Sequence, residues 1–389
     1  MSHAHVTARR LGLLVLAATL VLALFAATSA EAKKKGHEKQ AEVVNVMTRN
    51  LYLGADLTPA IEAKSLGEFT AATGKILRDV TANDFPVRAK GLAQEILKKS
   101  PDLVGLQEVA LWRTGPPSLD PLLSGSPPSA TNVRYDYLQL LLDQLNKGKK
   151  RYRVAVANDE FDFEAPGDEN GVPGDGPNGL IPNAEINGRL TMRDVILVKA
   201  GKTVKFTHPQ TGHFSNLLIV KLQGVEIPVT RGWVSIDAQV NGGRKLHFVD
   251  THLESFDPAS EVPSIRSKQA GELLAGPLTS SLPTILVGDL NSDDDTVEPG
   301  DQQAYRTLLA GGMRERSTSK PLGCCLNTSL LVENAGGNVA DLNHQVDHVM
   351  TADPKKVKLI KSSVTGRSPV NGFWDSDHAG LFSSLKILP

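Results

Sequence analysis

The sequence predicts an α/β protein built as a four-layer α-β-β-α sandwich, two mixed β-sheets packed face to face with helices outside. Three observations carry that prediction. Short apolar runs of strand-like composition recur along the chain. Amphipathic helical stretches fall between several of them. The apolar strands are also too numerous for one small sheet, so a second must cover the first.

Taken in order, the strand-like runs keep meeting polar residues at their ends. AEVVNVMT runs into RNLYLG, PDLVGL into QEV, RKLHFV into DTHLES and LPTILV into GDLN. NHQVDHVM carries its charges inside, and SDHAGLFSSLKIL begins with them. Strand tips that converge on one edge are how open α/β architectures build a ligand site. Among the helices, FPVRAKGLAQEILKKS places Val87, Leu92, Ile96 and Leu97 on one face and stops before Pro101; YDYLQLLLDQLNKG and SIRSKQAGELLAG are also amphipathic. The Pro/Gly/Ser stretch from Gly115 to Ser129 and the acidic FDFEAPGDENGVPGDGPNGLIPNAEING read as long surface loops. GHFSNLLIV, ending at Val220, reads as a buried strand. No internal repeat is visible.

The beginning of the chain has a different character. Arg9 and Arg10 precede an apolar run from Leu11 to Ala27, and Ala30-Glu31-Ala32 offers a small-x-small cleavage point before Lys33. Residues 1–32 therefore read as a signal peptide and the product as secreted or extracytoplasmic, with an uncleaved N-terminal membrane anchor as the rival. Nothing later in the chain has the length and apolarity of a span, so stable membrane insertion after cleavage is not expected. Residues 33–41 read as a basic disordered tail and 42–389 as one catalytic domain.

The whole chain has 42 basic and 43 acidic residues among 389, and losing Arg9, Arg10 and Glu31 leaves it near neutral. No overall positive charge draws it to nucleic acid or anionic membranes, so any polyanion must be held by a local site. The two cysteines, Cys324 and Cys325, are adjacent. Three readings stay open for them: a vicinal disulfide, two free thiols or an intermolecular bridge.

The stretch ILVGDLNSDDDT has two readings. Asp289, Asn291 and Asp293 match positions 1, 3 and 5 of a calcium loop, but Asp294 stands where that loop needs Gly and Gly300 where it needs Glu. The better reading is a buried strand that presents Asp289 and Asn291 at its tip, with Asp293, Asp294 and Asp295 as a solvated loop just outside. Taken singly, the other polar tips have ordinary roles. Glu108 passes for a strand-end carboxylate, His252 for a core histidine, Asn50 for a turn residue, and Asp377 with His378 for a loop pair.

Taken together and in this order, VMTRN with Asn50, LQE with Glu108, THL with His252, GDLN with Asp289 and Asn291, VDHV with Asp347, and SDH with Asp377 and His378 resemble the endonuclease/exonuclease/phosphatase superfamily. That superfamily includes deoxyribonucleases, abasic-site endonucleases, inositol polyphosphate 5-phosphatases and neutral sphingomyelinases. The resemblance spans about Val43 to Leu388. It implies Glu108 as the main Mg²⁺ ligand, supported by Asn50 and Asp377, with Mn²⁺ or Ca²⁺ as alternatives. It further implies Asp289 orienting or deprotonating water, Asn291 holding the phosphate or Asp289, His378 paired with Asp347, and His252 binding the phosphoryl group or assisting the leaving oxygen. Either Asp289 or His378 serves as general base. Arg193 is a substrate-binding candidate, or equally an ion-pair partner of an acid such as Asp194. Arg49 stands where many members have an aromatic.

The chemistry asks for the same residue types independently. Phosphoester attack needs neutralised oxygens, an aimed water and a stabilised leaving oxygen. Carboxylates suit Mg²⁺, and no Cys/His cluster demands zinc. The expected function is a secreted Mg²⁺-dependent phosphodiesterase, nuclease-like or sphingomyelinase-like. The alternatives are a phosphomonoesterase, such as one acting on inositol phosphates, and a non-catalytic exported metal-binding protein. The expected partner is the phosphoester itself, whether nucleic acid, phospholipid or small ester, with no obligate protein partner. A nuclease would grip several phosphates through basic residues such as Arg88, Lys90, Arg113, Arg189, Arg193 and Arg231.

Overall fold

Along Glu42–Asn50 the side chains alternate between two apolar environments. Val44 and Val46 face one hydrophobic cluster and Met47 another, the period-two pattern of a strand covered on both sides. The computed structural model of the protein describes residues 42–172, 181, 183–222, 224–256, 262–294, 302–318, 320–353 and 355–388. The signal segment, the basic tail, Asp295 and residues 173–180 of the acidic stretch lie outside the described residues. Glu42–Leu388 forms one compact unit. Among the described residues no helix is long and apolar enough to cross a membrane.

The chain opens with β1 (Glu42–Asn50), α1 (Thr58–Ile61), α2 (Leu66–Ala82), α3 (Phe85–Lys99), β2 (Leu103–Gln107) and β3 (Leu111–Gly115). It continues through α4 (Asp120–Ser124), β4 (Asn132–Asp136), α5 (Tyr137–Leu145), β5 (Tyr152–Gly167), β6 (Ile186–Lys199) and β7 (Val204–His213). Next come β8 (Leu218–Leu222), β9 (Val225–Val229), β10 (Gly232–Val240), β11 (Lys245–His252), α6 (Ile265–Ala275) and β12 (Thr284–Asp289). The last elements are α7 (Gln303–Ala310), β13 (Arg314–Glu315), β14 (Asp347–Thr351), β15 (Val357–Thr365) and β16 (Gly380–Ile387).

Two mixed sheets result. One has eight strands along the path β15-β16-β1-β2-β6-β3-β4, with β5 also on β6; the other runs β13-β14-β12-β11-β10-β7. The parallel pairs are β1 with β2 and β11 with β12. Between the sheets lie Val44, Val46, Ile236, Phe248, Ile285 and Val287. The outer face of the first sheet is closed by residues of α2, α3 and α5, including Leu77, Leu92 and Leu141. The outer face of the second is closed by Leu273 of α6 and Leu308 of α7. Helices therefore lie outside two facing sheets, as the sequence predicts.

A polar thread crosses the central layer. Thr48 Oγ1 donates to Gln107 Oε1 (3.2 Å), and Gln107 Nε2 donates to Asp250 Oδ1 (2.6 Å). Gly105 sits on the same face of β2, where an added Cβ would fall on the Asp250 carboxylate and the Val287 methyl. Gly105→Ala is therefore expected to destabilise the fold by about 1–3 kcal/mol through overpacking, measurable as a lowered urea midpoint.

Three readings of the sequence are corrected. The acidic stretch is not wholly loop, because Phe161–Gly167 belongs to β5 and pairs with β6 from Thr191 back to Ile186. Its aromatic residues pack and its acids pair with cations: Phe161 stacks on Phe163, and Asp162 bonds Arg189. Leu218–Leu222 is not a buried strand of a main sheet. It forms a separate two-stranded hairpin with β9, half-buried with alternate residues exposed. Asp293 is not solvated; it is buried, with Oδ2 accepting from the Gln345 amide at 3.2 Å, while Asp294 stays exposed and pairs with Arg306. The helix α2, which the sequence reading did not single out, is started by Ser65, whose side chain accepts from the Glu68 amide.

Candidate active site

The side chains of Asn50, His252 and Asp289 leave the ends of β1, β11 and β12 on the same face as the central core residues of those strands. Greasy strand and polar tip are thus parts of one ladder. In the register of the second sheet His252 pairs with Asp289 across the parallel ladder, and Asp289 with Asp347 across the antiparallel one. Glu108 follows β2 with φ +54°, and Asp377 and His378 precede β16, the antiparallel neighbour of β1. The tips of both sheets therefore meet at one edge of the central layer.

Asp289 is the hub. Its Oδ2 accepts from Asn50 Nδ2 at 3.0 Å and lies 3.5 Å from His252 Nε2 and 3.7 Å from His378 Nε2; its Oδ1 accepts from the Asn291 amide at 2.9 Å. Burial raises its pKa, against the opposing charge of His378. Burial alone would pull the His378 imidazole towards neutrality, but the carboxylates of Asp347, Asp289 and Asp377 outweigh it and hold the group well above its ordinary range. Its Nδ1 is 2.8 Å from Asp347 Oδ2. His252 goes the other way: burial first, then Arg231 and His378, keep it well below its usual value and therefore neutral. Arg231 Nη1 lies 3.0 Å from His252 Nδ1. A guanidinium can only donate, so Nδ1 accepts and the proton sits on Nε2, facing Asp289.

Glu108 is half-buried and accepts from the Leu53 amide at 2.6 Å. Burial, then the charge of Asp377, lifts its pKa to about 7. Burial likewise raises Asp377. Asn50 Oδ1 accepts from the Tyr52 amide at 2.8 Å. Asn291 Nδ2 donates to the Leu253 carbonyl at 3.0 Å, and its own carbonyl accepts from Arg266. The side chain of Asn291 thus ties β12 to the segment after β11. Arg49 is fully buried and spans Glu95 and the His378 carbonyl.

The structure gathers Asn50, Glu108, His252, Asp289, Asp347, Asp377 and His378, while Arg193 is turned elsewhere. Its Nε donates to the Val109 carbonyl at 2.9 Å and its Nη2 to Asp136 Oδ1 at 2.6 Å. Of the six basic residues considered for a polyanion, Arg231 alone lines the cavity at the site. Arg88 is fully buried on backbone carbonyls, Arg113 and Arg189 pair with Asp162, and Lys90 is exposed on α3. The prominence of Arg231 is legible only through its proximity to His252, which is 21 residues away. Cys324 and Cys325 form a vicinal disulfide, with both sulfurs 3.6 Å from His378 Nε2.

The donor set suits a hard divalent cation. The carboxylates of Glu108 and Asp377 face each other's charge, the arrangement a cation between them relieves; Asp289, Asp347 and His378 also bring ligand atoms within 4.8 Å of one another, but a charged imidazole has no lone pair to offer a metal.

The sequence profile of the Endonuclease/Exonuclease/phosphatase family matches residues 74–378. No curated protein matches the chain in sequence. Among solved structures, an endonuclease/exonuclease/phosphatase family protein of Bacteroides thetaiotaomicron shares 12% identity over 90% of this chain and 99% of its own, with a TM-score of 0.52. A mannosyl-6-phosphatase of the same organism shares 13% over 88% and 99%, with a TM-score of 0.48. An endonuclease/exonuclease/phosphatase of Beutenbergia cavernae shares 16% over 89% and 72%, with a TM-score of 0.49.

Proposed function

The chain belongs to the endonuclease/exonuclease/phosphatase family, hydrolases of phosphoester bonds, and we propose that within it the protein is a secreted, Mg²⁺-dependent phosphodiesterase. The observation that carries this reading is the setting of Asp289, whose Oδ2 accepts from Asn50 at 3.0 Å and stands 3.5 and 3.7 Å from the Nε2 atoms of His252 and His378. Hydrogen bonds from Asn50 to one oxygen and from the Asn291 amide to the other fix the aim of the carboxylate, while burial keeps its basicity above that of an exposed Asp.

Asn50, Glu108 and Asp377 would hold the cation, which supplies Lewis-acid neutralisation of phosphoryl charge. The rest of the chemistry falls to the chain's own side chains. The charged state of His378 favours Asp289 over His378 as the base. Asp289 takes the proton of the attacking water, whose oxygen forms the new P–O bond as the ester P–O bond breaks. The imidazolium of His378 and the Nε2–H of neutral His252 are donors for phosphoryl oxygens, and Asp347 keeps His378 charged and oriented. Asn291 acts by bracing Asp289.

The test is hydrolysis by the mature protein of a chromogenic phosphodiester and phosphomonoester, plasmid DNA, RNA, sphingomyelin and an inositol phosphate, each with Mg²⁺ and with chelator. Chelator-sensitive turnover of diesters above monoesters is expected; preference for monoesters would replace phosphodiesterase by phosphatase. Silence on all of them, with chelator lowering the melting temperature, would leave a metal-binding protein. The pH dependence of metal binding is a separate expected result. Below pH about 7 a proton on Glu108 competes with the cation, so apparent affinity should fall by about tenfold per pH unit as pH drops; calorimetry from pH 5 to 8 reads this directly. For the N-terminus, a product beginning at Lys33 in the culture medium is expected, and a membrane-bound full-length chain would favour the anchor.

A further inference from the structure

A cavity of ≈ 550 Å³ opens from the site and extends away from the catalytic tips. Glu108, Asp377 and Arg231 stand at one end. Most of the remaining wall is apolar, with Phe69 of α2, Phe161 and Phe163 of β5, Leu190 and Met192 of β6, and the hairpin β8–β9, and Thr73, Asn327, Thr328 and Ser329 add polar groups to it. The hairpin explains its own sequence. Val220, Leu222, Ile227 and Val229 line the cavity, while Ile219, Lys221, Glu226 and Pro228 are exposed. This alternation gives the small sheet one apolar face and one solvated face. That face closes a chamber against α1, α2 and β5 without joining either main sheet.

Among the described residues that line it, Asp56, Glu108 and Asp377 are its acids and Arg231 its single cation. A nucleic-acid track needs several cations spaced along successive phosphates, and here one guanidinium serves one phosphoryl group. Apolar walls with a few polar groups at one end are what an amphipathic small molecule requires, and the volume is of ligand size.

We propose that this chamber is a binding site for an apolar ester arm, so that the substrate is a phosphoester with a hydrocarbon substituent lying between the hairpin β8–β9 and α2. The inference rests on the phosphoesterase reading for the position of the phosphoryl group, but its own content is the chamber. The hydrocarbon contacts Val220, Leu222, Ile227 and the phenylalanines, while the phosphoryl group stays beside Arg231.

The experiment is calorimetric binding of methyl, butyl and octyl phosphate, each below its micelle concentration, to the mature protein with Mg²⁺. It is paired with hydrolysis of nitrophenyl methyl and nitrophenyl octyl phosphate. Each added methylene should tighten Kd by about 2- to 4-fold until the chamber is filled, the range set by the transfer of CH₂ from water. The variants Val220→Asp and Ile227→Asp, each on a peripheral hairpin and checked for folding by circular dichroism, should collapse the octyl-to-methyl ratio towards one. A ratio near one in the unaltered protein, or one preserved in both folded variants, overturns the inference. Chain-length-dependent binding without turnover of either nitrophenyl ester would sink the hydrolase reading and leave the chamber's ligand class standing. Turnover without chain-length dependence in either assay would do the reverse.

Discussion

Asp289→Asn is expected to lower kcat on the preferred phosphoester by about 10²–10⁴, the range associated with a positioned proton acceptor. The amide keeps the shape of the side chain but loses its basicity and its charge. It also turns an acceptor surrounded by Asn50, His252 and His378 into a group that presents a donor to one of them. Melting temperature should change little by comparison, since removing the charge relieves a buried carboxylate that burial already disfavours. His378→Ala should give a loss of the same order. Asp347→Asn should lower activity through the charge state of His378, and so move the alkaline limb of the pH profile to lower pH as well as reducing kcat. The comparison assigns the base. If His378→Ala were harmless while Asp289→Asn was not, His378 would have no direct part in the reaction. If Asp289→Asn retained full activity, Asp289 would not be the base.

The second large effect concerns stability. Arg88→Met should destabilise the fold by about 3–5 kcal/mol, because each buried carbonyl left without a donor costs about 1–3 kcal/mol and several are lost together. Arg88 is fully buried. It donates to the carbonyls of Asn83 (2.9 Å), Leu51 (2.8 Å), Asp375 (3.0 Å) and Tyr52 (3.1 Å), and its guanidinium lies over the rings of Phe85 and Tyr137. Leu51 and Tyr52 belong to the loop after Asn50 and Asp375 to the loop before His378, so one side chain of α3 fixes two arms of the active site. Arg88→Lys is expected to rescue little, since an ammonium cannot reproduce the planar fork that reaches four acceptors. The measurement is the urea midpoint, with activity at low denaturant reporting whether the site loosens before the fold does. A midpoint unchanged in Arg88→Met would show that water replaces the guanidinium at no cost.

Much of the site was legible because the chemistry sits where local patterns change. A strand such as TILV must stop being apolar where it leaves the layer, and GDLN marks that exit within four residues. Asn50, Glu108, His252, Asp289 and the Asp377–His378 pair all occupy such exits, so a one-dimensional signal located them. Arg88 and Arg231 illustrate the opposite case. Both look like ordinary surface cations in sequence, yet one is buried under two loops and the other stands against His252. Arg193, at a strand centre with an acid beside it, instead holds the Val109 carbonyl and Asp136. Only neighbours from other elements decide what a long side chain reaches.

The sequence by itself determined the two-sheet sandwich and the polar tips of its strands, because period-two burial and strand ends are properties of consecutive residues. The tertiary structure decided the rest: which histidine is held charged, which guanidinium stands against His252, the order of the strands in each sheet, and that a weakly patterned hairpin walls a largely apolar chamber. Those outcomes depend on burial and on charges brought together across separations such as the 239 residues between Asn50 and Asp289. Electrostatic fields and enclosed volumes arise only once distant segments are packed together.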